Sequence, residues 1–281
     1  MQNATALFCA DVTTPDDAIQ TAARDAAKHN AHLAVLLYAH MPIFPMAGYG
    51  ALPYGGIAAP EAWSDKIAQA QAALKDRVEA VEKLLSQEDA SADVRPLFST
   101  VGDVRQGLSQ ASRSCDIAFI SQDLRQKEGL YTEMLHTVLF HSPIAVVVNG
   151  TLDLAHDTIL LAWDNSLTGA RSAHLALPYL KNASNVHIVC FDAPATDSDR
   201  KIEPGREVAL WLSHHGCDVT LTQLPSGGRE IGACILDHTA EIGADLVVAG
   251  AYGHSRLHQA VFGGTSRTLI EQDRIPIFMA H

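Results

Sequence analysis

The chain has 281 residues, long enough for two domains of about 140. With 47% apolar and 19% charged residues, it has the composition of a globular protein with a buried core. A formal net charge of −12 argues against a basic nucleic-acid footprint, and no apolar run reaches the roughly 20 residues that cross a bilayer.

The opening, MQNATALFCADVTTPDD, lacks a basic region ahead of an apolar one, so a secretory leader is not expected. ALFCAD reads as a strand near 5–10 that closes on Asp11. The Ala-rich pattern after VTTPDDA predicts a helix near 15–29, and HLAVLLYA predicts a strand near 32–38. MPIFPMAGYGALPYGGIAAP, residues 41–60, is long for a strand-to-helix connection. It reads as a lid or apolar contact surface, or as a plain surface loop. Further elements are expected near 61–88 (helix), 93–98 (strand), 103–114 (helix), 116–121 (strand), 130–140 (helix) and 144–148 (strand).

NGTLDLAHD, about 149–157, reads as a linker between domains 1–150 and 151–281. Beyond it the pattern restarts. Strands are expected near 158–163, 185–191, 217–223, 245–250 and 275–280, and helices near 168–181, 203–215, 229–242 and 264–272. TILLAWD closes on Asp164 as ALFCAD closes on Asp11. CDIAFIS matches ADLVVAG, and SPIAVVV matches IPIFMA with Pro143 against Pro276. From Asp11 to Asp116 is 105 residues, against 81 from Asp164 to Asp245, and the 41–60 segment accounts for most of the difference. A repeat on this scale means two copies of one supersecondary plan.

Each half therefore reads β-α-β-α-β-α-β-α-β. Its strands run continuously in Val and Ile, the pattern of a parallel sheet covered on both faces. Such doubly wound α/β sheets hold ligands at the carboxyl ends of their strands. Asp164 and Gly250 then share one rim. Gly250 and Gly253 let the backbone turn and approach a ligand closely. Gly263, Gly264, Thr265 and Ser266 open a helix whose free N–H groups favour phosphate. His254 and Arg256 lie between the two glycine groups, with His258 one helical turn beyond His254. The plainer reading of these glycines is an ordinary turn and helix start. No Walker P-loop and no G-x-G-x-x-G is present.

The pattern Gly-x2-Gly-x9-Gly, followed by small hydroxylated residues in GAYGHSRLHQAVFGGTSRTLI, resembles the universal stress protein family. Asp164 in WDNS resembles that family's first strand end, and the resemblance covers both halves. It implies two tandem five-stranded parallel sheets of strand order 3-2-1-4-5, adenine nucleotide alpha hydrolase-like, packed as a pseudo-dimer through their last strands. It also implies adenine-nucleotide binding without a committed metabolic reaction. Carried over residue by residue, Asp164 would sit by adenine and ribose, with Phe191 or Val189 against the base. Gly250 and Gly253 would line ribose and first phosphates. Gly263, Gly264, Thr265 and Ser266 would hold the phosphate tail, with Mg²⁺ able to bridge it. One departure is Gly264, which stands where nucleotide-binding members carry Ser or Thr. The first half lacks the strand-end glycines altogether: QDLRQKEGLYTEMLHTVLFHSP offers only Gly129, so this half is expected to bind no nucleotide.

Five scattered cysteines without a C-x-x-C are expected to be reduced and buried, consistent with a cytoplasmic protein. Fourteen histidines show no ligand set with a third partner, so no zinc centre is expected. No nucleophilic triad is visible, which leaves at most a slow ATPase. Besides the nucleotide, an unidentified protein partner is expected, with no nucleic acid and no membrane. The halves are expected to pair within the chain, with a homodimer as a further option. The rival reading is a nucleotide-free scaffold that presents the 41–60 loop.

Overall fold

The computed structural model describes residues 4–44, 61–152, 155–192, 203–251 and 264–281. The first half runs β1 (Thr5–Asp11), α1 (Asp16–Lys28), β2 (His32–His40), α2 (Glu61–Leu85), β3 (Ala92–Ser99), α3 (Val104–Ser112), β4 (Ile117–Ile120), α4 (Glu128–His141) and β5 (Ala145–Val148). The second runs β6 (Thr158–Ala162), α5 (Leu167–Leu175), α6 (Leu177–Leu180), β7 (Asn185–Phe191), α7 (Arg206–His214), β8 (Val219–Leu224), α8 (Ile231–Ile242), β9 (Leu246–Gly250), α9 (Gly264–Glu271) and β10 (Ile277–Ala280). None of the described helices is long and apolar enough to cross a membrane.

Among the described residues the strands form one ten-stranded sheet, ordered β3-β2-β1-β4-β5-β10-β9-β6-β7-β8. Each half has the expected order 3-2-1-4-5, and its strands are parallel. The two five-stranded sheets are continuous, because β5 and β10 pair antiparallel with Val147 opposite Phe278. Each last strand covers the other's open edge. The outermost strands are only partly buried, and β3 carries Pro96, which an edge tolerates because it needs no inward donor there.

Alternate residues of one strand serve opposite cores. Phe8, Ile19, Val35, Leu161 and Phe278 pack on one face, while Leu7, Leu36, Met134, Leu160 and Met279 pack on the other. The first core is covered by α1, α2 and α5 to α7, the second by α3, α4, α8 and α9. One expected helix, 168–181, is interrupted. Pro178 has no N–H to donate and its ring crowds the preceding turn, so the chain breaks into α5 and α6 with the proline in the first turn of the latter.

Candidate functional site

The same side-chain-to-backbone bond follows the first strand of each half. Asp11 Oδ1 accepts from the N–H of Thr13 at 2.8 Å, and Asp164 Oδ1 accepts from the N–H of Ser166 at 2.9 Å. Asp and Ser or Thr recur here because a short side chain can bond its own backbone two residues on. Ser166 then caps α5, accepting from the N–H of Gly169 at 3.0 Å. Both aspartates thus reach the rim by the same local chemistry.

Their surroundings differ. Asp11 is buried, and the ammonium of Lys127 donates to its Oδ2 and, at 2.5 Å, to Thr13 Oγ1. Thr14 Oγ1 donates to Asp123 at 3.1 Å, and Ser121 Oγ donates to the same carboxylate at 2.5 Å. In the first half this end of the crevice is therefore occupied by the chain's own cation and hydroxyls. Lys127 follows the 3-10 turn Gln122–Gln126, in the stretch where the second half carries its glycines. Beside this cluster, burial and then the charge of Asp11 push the Tyr38 phenol up to about 12.

Asp164, by contrast, is exposed. Close to it, burial and then the Asp164 charge push the Cys190 thiol up to about 11. The last helix, α9, opens at exposed Gly264, while Thr265 is half-buried and Ser266 buried at 5%. Next to Gly264 lies a group the sequence reading missed. Glu230 caps α8, its carboxylate accepting from the N–H groups of Gly232 at 2.9 Å and Ala233 at 2.8 Å. A Cβ placed on Gly264 would lie 3.6 Å from Glu230 Oε1. An acidic residue just before the α8 helical pattern was the available signal, though Glu is not among the favoured capping residues.

Gly250 has a structural task of its own. A Cβ there would come within 2.5 Å of the Gly169 nitrogen and 2.9 Å of its Cα, so this glycine lets the start of α5 lie on the end of β9. Val189 does not reach the crevice: it is 1% exposed and lies in the core beside α8 and α9. Side chains two apart on a strand share a face, so Phe191 at the end of β7 is the residue on that face nearest the rim. Gly253, His254, Arg256 and Gly263, like most of the 41–60 segment, lie outside the described residues.

No family model matches the chain. No curated protein matches it either. Among solved structures, one from Pseudomonas aeruginosa UCBPP-PA14, provisionally named a universal stress protein, is 13% identical and superposes at a TM-score of 0.53, over 99% of this chain and 93% of that one. A functionally unknown protein from Pseudomonas aeruginosa PAO1 is also 13% identical, with a TM-score of 0.53 over 99% of this chain and 92% of that one. A universal stress protein from Archaeoglobus fulgidus, 22% identical, aligns with 44% of this chain and 98% of its own at a TM-score of 0.35. The two full-length likenesses establish the fold: the universal stress protein architecture, present twice in one chain.

Proposed function

We propose that the protein is a tandem universal stress protein whose second domain, 151–281, binds an adenine nucleotide as a regulatory ligand, while the first domain, 1–150, binds none. The contrast between the two crevices carries this reading. Both begin with an aspartate that accepts from the N–H two residues on, but the first is filled by Lys127 on buried Asp11, whereas Asp164 stays exposed on the rim at which the α9 helix also starts. The N–H groups of the first turn of α9 would hold phosphate oxygens. Arg256 and His254 would add donors, with Gly253 and Gly263 giving the backbone its approach. Asp164 would take the ribose hydroxyls and Phe191 one face of the base. Glu230 places a carboxylate near this phosphate position, spent on the α8 amides.

Mg²⁺ is a hard cation that takes oxygen ligands. Among the described residues there is no group of three or more His, Cys, Asp or Glu placed to hold a metal ion, so Mg²⁺ would come with the phosphates. The nucleotide acts as a signal and is not consumed in metabolism. It orders the 251–264 loop and so alters a surface read by a protein partner, in a cytoplasmic stress response. One observation favours a second reading, a nucleotide-free scaffold: Ile43, at the start of the 41–60 segment, is 72% exposed.

The two readings separate on analysis of small molecules released when purified protein is denatured, together with a thermal-shift titration by ATP, ADP and AMP. Nucleotide at 100 times its dissociation constant should stabilise by about 2.7 kcal/mol. No release and no shift at millimolar nucleotide leaves the scaffold.

A further inference from the structure

A cavity of about 330 Å³ lies along α1 in the first half. That is the lower end of small-molecule sites, which run from about 300 to 1,000 Å³. Phe8 of β1 and Phe119 of β4 line it from the sheet, Ala18 and Ala22 from α1, and Leu152 from the chain after β5. Its position is fixed by the close passage of that chain: a Cβ on Gly150 would come within 2.5 Å of Val147 Cγ1.

The polar lining is one-sided. Among the described residues no Lys, Arg or His lines the cavity, but Asp17, Asp25 and Asp123 do. Asp123 is engaged by Ser121 and Thr14, and Asp17 accepts from the N–H of Ala18 at 3.0 Å. The Oδ2 of Asp25 is shut off from solvent and has no hydrogen-bond partner among the described residues. A buried carboxylate oxygen without a donor is costly, and folded proteins retain few of them. The terminal torsion of Asp is broad, so the group can turn this oxygen toward an arriving cation.

We propose that this cavity binds a small hydrophobic amine, with its ammonium on Asp25 and its aromatic or alkyl body over Phe8 and Phe119. Phosphates and carboxylates are disfavoured, because no cationic side chain among the described lining residues offsets their charge. The acidic chain as a whole also draws cations toward it. The site shares no residue with the nucleotide crevice and does not depend on that reading.

Calorimetric titration of the full chain with 4-phenylbutylamine and with neutral 4-phenylbutan-1-ol tests this. The amine should bind wild type about tenfold more tightly than the alcohol, the scale of one charge-assisted hydrogen bond. Asp25→Asn should remove that preference and leave the alcohol's affinity unchanged. Ala22→Phe, checked for folding by circular dichroism, should abolish binding of both; if it misfolds, the Asp25→Asn comparison decides. Absence of binding at millimolar amine, an amine preference that survives Asp25→Asn, or displacement of the amine by ATP would overturn the proposal.

Discussion

Asp11 is 6% exposed and takes the Lys127 ammonium, so replacing Lys127 by Met leaves a buried carboxylate without its cation. Breaking a fully buried pair in this way costs about 3–5 kcal/mol. The Lys127 side chain is 36% exposed, so solvent screening lowers the expected loss to about 1–2 kcal/mol, read from urea melts. The same variant should leave nucleotide affinity unchanged. Two glycines of the second half divide by what surrounds them. Gly250→Ala drives a methyl into the Gly169 backbone, which cannot yield, and should destabilise by about 1–3 kcal/mol with or without ligand. Gly264→Ser has room, since its Cβ would meet nothing closer than 3.6 Å, and should tighten nucleotide binding about 2- to 10-fold by restoring one hydroxyl. A sequence shows both as bare backbone; only the packing of α5 on β9 separates them. The cysteines are simpler. All five are buried, and burial pushes Cys9 up to about 12, so none should react with a disulfide reagent at pH 8 until the protein is unfolded.

The helix α9 begins at the proposed phosphate site and ends on the other half of the molecule. Arg125 donates to the carbonyls of Ile270 at 2.7 Å and Glu271 at 3.4 Å, and Asn149 donates to Gln272 O at 2.6 Å. The first half thus satisfies orphan carbonyls at the C-terminal end of this helix. Arg125→Ala should speed hydrogen exchange of the α9 amides, with loss of hydrogen bonds worth about 1.5–3 kcal/mol. Lys in its place should recover only part, having no fork to span two carbonyls. No local pattern could reveal this contact, because its partners lie 145 residues apart. At the β2–β3 edge, His32 bonds Asp93 at 2.6 Å and Arg95 bonds it at 2.8 Å. Burial alone would raise the Asp93 carboxyl, but the hydrogen bonds from Arg95 and then His32 outweigh it and hold it below the usual range. A depressed carboxylate contributes stability above its unfolded pKa and loses it as pH falls through the folded value. Asp93→Asn should therefore flatten the acid limb of the stability profile below about pH 4.

At the scale of the whole molecule, two copies of one plan became one sheet with two unequal rims. The plan was legible because apolar strands buried on both faces leave long uninterrupted runs, and because Asp11 and Asp164 punctuate the two copies alike. The joining of β5 to β10 was foreshadowed by two apolar last strands that needed cover. Two placements were legible where backbone chemistry decides them: Asp164 after β6 and the helix start at Gly264. The candidate site was obscure where three-dimensional packing decides, as with buried Val189 and the nearby Glu230 carboxylate. If folding alone demanded strand-end glycines, the first half could not build its rim without them; it does so with Lys127 in the crevice. In the second half, packing against α5 accounts for Gly250, and the proposed ligand is the reason offered for the glycines that follow it.

The number of nucleotide sites per chain is the most direct test of a single ligand-binding half. Calorimetric titration of nucleotide-free protein with ATP should give one site per chain, abolished by Gly253→Val and intact in Asp11→Ala. Two sites per chain, no site, or a single site that survives Gly253→Val would contradict it.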